Sequence, residues 1–188
     1  MSAKPASASR VEMSEVMTPN DANFLGKVFG GRVLSMLDIA AYATASRFAG
    51  HVCVTASVDR VDFHEPIEVG ELVTCVGTVT YVGRTSLEVT IEVFAENVLK
   101  GERRHTNTAR VTMVAMDEAL RPVEVPRLIC ETREEKVRFL EGRLRREIRG
   151  AHQSEFERLA AGFAAASDAR LDELLAAPSL MGVAAREG

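Results

Sequence analysis

Apolar residues change their spacing several times along this chain, and each change marks an element. Residues 10–17 (RVEMSEVM) alternate loosely, as a short strand does. Thr18-Pro19-Asn20-Asp21-Ala22-Asn23 is built of turn-forming residues and reads as a loop. From about Gly31 to Phe48, Leu, Met and Ala occupy nearly every side of a predicted helix, which ends before Gly50, a residue suited to a C-terminal cap. A helix that is apolar all round is a buried helix. The period then falls to two: Val52, Val54, Ala56 and Val58 alternate with other residues, and Val61 and Phe63 continue the segment. Leu72 to Val82, Ser86 to Val98 and a segment from Glu102 to about Met116 read as three further strands. Short turns at Val82-Gly83-Arg84-Thr85 and Lys100-Gly101-Glu102 join them. This order predicts an α+β fold, an antiparallel sheet packed around one apolar helix.

The pattern shifts after Asp117. Arg121 to Pro126 reads as an extended linker. Thr132-Arg-Glu-Glu135 is a capping box, followed by Val137, Leu140, Leu144 and Ile148 at helical spacing. Gly150 is expected to end that helix, and Ser154-Glu-Phe-Glu157 to cap a second one in the Ala-rich stretch 153–176, with fraying after Pro178. The division expected is therefore a disordered leader over 1–9, a core domain over 10–130 and a helical extension over 131–188.

Composition narrows the class. Of 188 residues, 46% are hydrophobic and 27% charged, as in a globular protein. A net charge of −4 and a pI of about 5.7 argue against a nucleic-acid partner, which needs a basic face. The longest apolar stretch, Val33 to Phe48, is broken by Asp38 and Arg47 and is no membrane span. Cys53, Cys75 and Cys130 are widely spaced, form no CxxC pair and suit a reducing cytoplasm as small core residues. The four histidines show no metal spacing, so no metal is expected.

Candidate chemistry concentrates in NFLGKVFGGRVLSMLD, residues 23–38. An aspartate buried in an apolar helix without partners costs several kcal/mol. Asp38 therefore either lies at the helix rim or pairs with an arginine, or it is a general base facing a crevice. Gly30-Gly31 lets backbone approach a ligand at the helix start, where free amides stabilise charge on an oxygen. Asn23 adds a neutral donor. A base, an amide and a helix start suit attack of water on a carbonyl. No GxxxxGK[ST], GxGxxG or GxSxG pattern occurs.

Several segments together resemble the hotdog-fold acyl-CoA thioesterases, nearest the cytosolic long-chain acyl-CoA hydrolases and their bacterial single-domain relatives. The resemblance rests on Met17-Thr-Pro-Asn-Asp-Ala-Asn23, Gly26-Lys-Val-Phe-Gly-Gly31, Met36-Leu-Asp38, Val54-Thr-Ala-Ser-Val-Asp59, Phe63-His-Glu-Pro-Ile67, Val69-Gly70-Glu71 and Gly83-Arg-Thr-Ser86. It covers roughly residues 10–130. It implies a sheet wrapped around the long helix, and hydrolysis of acyl-CoA to a fatty acid and CoA without any cofactor beyond the CoA of the substrate. It also implies a homo-oligomer, with a dimer paired edge to edge as the minimal active unit and a trimer of dimers as the assembly. The catalytic pair maps onto Asn23 and Asp38, from different subunits. Gly30 and Gly31 map onto the oxyanion donors. The pantetheine arm maps onto Thr55, Ala56, Ser57 and Val58. Gly83, Arg84, Thr85 and Ser86 map onto a turn near the CoA path, with Arg84 a phosphate donor and Arg103, Arg104 and Arg110 further candidates. The Ala-rich stretch 153–188 departs from the family.

Two other functions compete. A non-catalytic acyl-CoA sensor on the same fold would tolerate loss of Asn23 and Asp38, and both are retained. A hydratase would pair a His with an acid in the site, and His51, beyond the helix end, is poorly placed for it. Chain-length preference is expected to depend on tunnel residues such as Leu34, Leu37 and Ala41.

Overall fold

The computed structural model describes residues 3–180 other than Arg60, Asp62 and His64. Along the chain run β1 (Lys4–Pro5), a 3-10 turn (Ala6–Ser9), β2 (Val11–Val16), a second 3-10 turn (Pro19–Asp21) and α1 (Gly30–Ala49). Four strands follow: β3 (Val52–Val58), β4 (Leu72–Val82), β5 (Ser86–Asn97) and β6 (Glu102–Met116). The last elements are β7 (Leu128–Ile129), α2 (Arg133–Ala165) and α3 (Asp168–Ala176). The chain divides after Gly142 into two compact units.

In the first unit, β2-β4-β5-β6-β3 form one antiparallel sheet with α1 packed on its inner face, the hotdog arrangement the chain was expected to adopt. Alternation selects the face. Leu87, Val89, Ile91, Val93 and Ala95 of β5 point inward, beside Val111, Met113 and Ala115 of β6. From α1 they meet Val33, Met36, Leu37, Ala40, Ala41, Ala45 and Phe48. Gly77 lets α1 approach, because a Cβ there would lie inside the buried Thr44 hydroxyl and 3.2 Å from the Thr44 Cβ. Gly50 takes φ +74 and caps α1.

The expectation of a helix buried all round fails. Leu34, Asp38, Ile39 and Tyr42 lie on a face of α1 that this chain leaves exposed. Both sheet edges are open, but they differ. β2 (VEMSEV) carries Glu12 and Glu15, charges that discourage further strand pairing. β3 (VCVTASV) carries no charge and exposes Val52, Val54 and Val58. Its ladder with β6 extends only to the bond from Asp59 N to Arg110 O, 2.9 Å, so the strand stops short of Phe63.

The disordered leader is also corrected. Lys4–Pro5 pairs in parallel with Leu128–Ile129, and Ala6 and Ser9 are buried. Counting back from Val11 opposite Gly77, Ser9 lies opposite Val79. Its hydroxyl accepts the Val79 N–H at 2.9 Å and donates to Ala6 O at 2.6 Å. The small residues expected to be disordered are those that fit this seam. Residues 1 and 2 lie outside the described residues.

α2 is capped as expected, the Thr132 hydroxyl accepting from Glu135 N at 3.1 Å and Glu135 accepting from Thr132 N at 3.1 Å. Its start packs on the outer sheet face, with Phe139 and Tyr81 rings 5.0 Å apart. Gly142 is buried there because a Cβ would meet Tyr81 Cβ at 2.6 Å. Gly150 does not end the helix. A mid-helix glycine costs about 1 kcal/mol but does not stop propagation. Ser154 donates back to Gly150 O at 3.0 Å instead of capping a new helix. In the second unit Ser167 caps α3. The expected fraying after Pro178 falls largely on residues 181–188, outside the described residues, as does His64.

Burial pushes the Cys75 thiol up to about 11 and also raises Cys53. Both are expected to resist a thiol reagent at pH 8 in the native protein and to react on unfolding, which mass spectrometry of the labelled protein checks. Gly77→Ala is expected to destabilise by about 2 kcal/mol through overpacking against Thr44, read from the urea midpoint.

Candidate active site

Asp38 and Thr55 come together on the open side of α1. The Thr55 hydroxyl donates to Asp38 Oδ1 at 2.6 Å. Met113 Sδ lies 3.4 Å from the same hydroxyl, which has one proton; the carboxylate is the stronger acceptor. Asp38 is exposed within the chain, so no buried arginine is needed to neutralise it. Thr55 faces Met113 across the ladder and Ser57 faces Thr112, leaving Ala56 as a bulge. Such a bulge bends an edge strand and re-aims its side chains.

A second cluster forms at the start of α1. Asn23 Oδ1 accepts from Leu25 N at 2.9 Å and Lys27 N at 3.2 Å. With the oxygen tied to backbone, the amide NH2 is left as the outward donor. The loop closes on itself through Asn23 N to Lys27 O at 2.7 Å and an Ala22–Val28 bridge. Phe29 is the N-cap and makes no side-chain cap, and the first turn carries no acid. The Gly30 and Gly31 amides therefore keep the donor capacity of a helix start. Phe24 and Leu25, at the loop tip, are almost wholly exposed. Asp21 ties this loop down. Its Oδ2 accepts from Thr18 N and Oγ1 at 2.7 and 2.6 Å, and its Oδ1 from Arg32 Nε at 2.9 Å. The Thr18 hydroxyl, more than Arg32, holds the Asp21 carboxyl below its ordinary range.

The two clusters are not one site within a chain. Gly30 and Asp38 are eight residues apart on one helix, about 12 Å at 1.5 Å per residue. Among the described residues no hydrogen bond joins Asn23 to Asp38. A carbonyl and its attacking water span only about 3 Å. Asp38 with Thr55 and Asn23 with Gly30–Gly31 are thus two separate clusters among the described residues.

The turn Gly83–Ser86 lies at the Thr55 end of the sheet. Leu87 faces Met113, which faces Thr55, so the turn stands two strands away, about 10 Å. It is pinned by Gly83 N to Ser86 O at 2.8 Å, Ala115 N to Thr85 O at 3.0 Å and Val125 N to Arg84 O at 3.0 Å. Arg84 is exposed there. Arg104 is instead structural: it grips the buried Glu71 at 2.6 and 2.9 Å and the Pro66 carbonyl at 2.8 Å. Arg103 stacks over the Phe94 ring at 4.4 Å. The described residues gather no metal-binding cluster. Sequence reasoning missed the Thr55 hydroxyl as an Asp38 partner, and missed Asp21 and Arg32. The Thr18-Pro-Asn-Asp21 spacing, a capping pattern, is a signal that could have flagged Asp21, but nothing local flags Arg32.

The Thioesterase superfamily matches residues 25–102. An uncharacterized acyl-CoA thioester hydrolase of Bacillus subtilis, YkhA, is 39% identical over 127 residues, 68% of this chain and 74% of that one. The chain belongs to the acyl-CoA thioester hydrolases of this superfamily. Among solved structures, an apo-hexameric acyl-CoA thioesterase superposes with a TM-score of 0.78 at 39% identity, covering 81% of this chain and 98% of that one. An acyl-CoA hydrolase of Staphylococcus aureus, solved with butyryl coenzyme A and coenzyme A, gives 0.76 at 31% identity, covering 86% and 98%. That family member was also solved as three alanine variants, of an asparagine, an aspartate and a threonine. Their spacing, 15 and then 17 residues, is that of Asn23, Asp38 and Thr55 here.

Two outcomes are expected. Thr55→Val removes the hydroxyl bond to Asp38 and should lower kcat about tenfold or more, the value of a bond to a charged group, with little change in Tm. Arg104 holds the Glu71 carboxyl below the usual carboxylate range. Its stabilisation is present at neutral pH and lost as pH falls through the depressed folded value. Glu71→Gln should cost about 2 kcal/mol at pH 7, and its urea midpoint should converge with wild type in acid.

Proposed function

We propose that the chain hydrolyses acyl-CoA thioesters to the free carboxylic acid and CoA, at sites completed between two copies of itself. The observation that carries this reading is the eight-residue spacing of Gly30 and Asp38 on one helix, about 12 Å of axial rise. Pairing along the uncharged β3 edge would cover Val52, Val54, Leu34, Ile39 and Tyr42 and seat the Phe24–Leu25 loop tip on the neighbour. One subunit then supplies Asp38 and Thr55, and the other Asn23, Gly30 and Gly31. The hexameric relative supports a trimer of such dimers.

Asp38, oriented by Thr55, takes a proton from water as the oxygen attacks the thioester carbonyl. Charge builds on the carbonyl oxygen, where the Asn23 amide and the Gly30–Gly31 N–H groups meet it. The C–S bond breaks, and the CoA thiolate needs little acid help to leave. The Ala56 bulge leaves backbone without a ladder partner where the pantetheine arm would run, along Thr55, Ala56, Ser57 and Val58. Arg84, on the turn Gly83–Ser86, is placed to meet a CoA phosphate. No helix among the described residues is long and apolar enough to cross a membrane. A cytoplasmic place, with a role in fatty acid metabolism, is proposed; the first is supported by a cytosolic acyl coenzyme A thioester hydrolase of Rattus norvegicus, 33% identical over 139 residues, 73% of this chain and 36% of that one.

The test is thiol release from acyl-CoAs of graded length. Wild type should release CoA, and Asp38→Ala should lose about a thousandfold in kcat while remaining folded. Tight acyl-CoA binding with no release at any length would contradict hydrolysis. In a single turnover in labelled water, Asp38 should take up no label; incorporation would replace general-base attack by an anhydride route.

A further inference from the structure

The donor cluster works only if Asn23 keeps a fixed place relative to the first turn of α1. We propose that Asp21 and Arg32 are positioning residues that hold it there. The inference rests on the reading of Asn23, Gly30 and Gly31 as the donors to the carbonyl oxygen.

Asp21 stands two residues before Asn23, and Arg32 follows Gly31 directly. Three bonds close the loop between them. Arg32 Nε donates to Asp21 Oδ1 at 2.9 Å, Phe29 N donates to Asp21 O at 2.7 Å, and the Ala22–Val28 bridge lies inside. Thr18 clamps the far carboxylate oxygen by two donors, and Arg32 also pairs with Glu15 on β2. The loop is thereby fastened at once to α1 and to the sheet. A cation in the first turn of a helix is disfavoured by the dipole. Arg32 tolerates that place because two carboxylates compensate it, and both side chains of the Asp21 pair are largely buried, 13% and 23% exposed. An arginine fork fixes direction as well as distance, which a lysine cannot do.

The experiment compares Asp21→Ala, Asp21→Asn, Arg32→Ala and Arg32→Lys in the full-length protein, with and without Asn23→Ala. A misplacement of about 1 Å costs up to a hundredfold, so Asp21→Ala should lower kcat about tenfold or more with KM within about threefold. In the Asn23→Ala background the same change should cost far less, because the group it positions is gone. Arg32→Lys should recover part of what Arg32→Ala loses. If Asp21→Ala does not fold, Asp21→Asn, which keeps an oxygen for Arg32, carries the comparison. An unchanged kcat, or an equal fall in both backgrounds, overturns the positioning role. Unchanged activity in Asn23→Ala alone overturns the donor reading beneath it, and the two failures are thus distinct.

Discussion

Eight residues of α1, about 12 Å of axial rise at 1.5 Å per residue, separate the backbones of Gly30 and Asp38. No side-chain rotation closes that distance. Under the proposed reading, a carbonyl is polarised by the donors of one chain and attacked through Asp38 of another, and the open features of the molecule fit that reading. α1 keeps a face with Leu34, Ile39 and Tyr42 uncovered, although its sequence is apolar on nearly every side. β3 keeps an uncharged edge, while β2, at the other end of the sheet, is guarded by Glu12 and Glu15. Each is a liability in a monomer, and the proposed pairing of two copies would cover it.

The sheet is rigid where the chemistry needs it. Thr55 is aimed at Asp38 by a strand whose ladder with β6 is interrupted only by Ala56. Met113, fully buried, fills the space behind the hydroxyl. On the other half, a short loop is tied to itself, to α1 and to β2 by Asp21 and Arg32. Glu71 and Arg104 fasten the segment that leads into β4. These two clusters of charged pairs hold loops against the sheet.

Much of this was legible in the sequence. The change from helical to alternating spacing placed α1 and the strands β4, β5 and β6 within a residue or two, since both periods are long and clean there. Asp38 stood out because a carboxylate in an apolar run demands an explanation. What escaped has physical reasons. The leader residues Ala6 and Ser9 are small, and only the missing partner of Val79 N–H turns them into a seam. Gly150 resembles a stop signal, but a glycine ends a helix by adopting positive φ, as Gly50 does and Gly150 does not. The Thr55–Asp38 bond joins residues seventeen apart on two elements, and no local period encodes it.

The most direct measurement is complementation between Asp38→Ala and Asn23→Ala subunits. Each variant alone should retain only a small residual rate, far below wild type. A mixture refolded together should regain activity, about a quarter of wild type if subunits pair at random and each mixed dimer holds one intact site of two. No recovery, with mixed dimers shown to form, would place both residues in one chain's site and contradict the account.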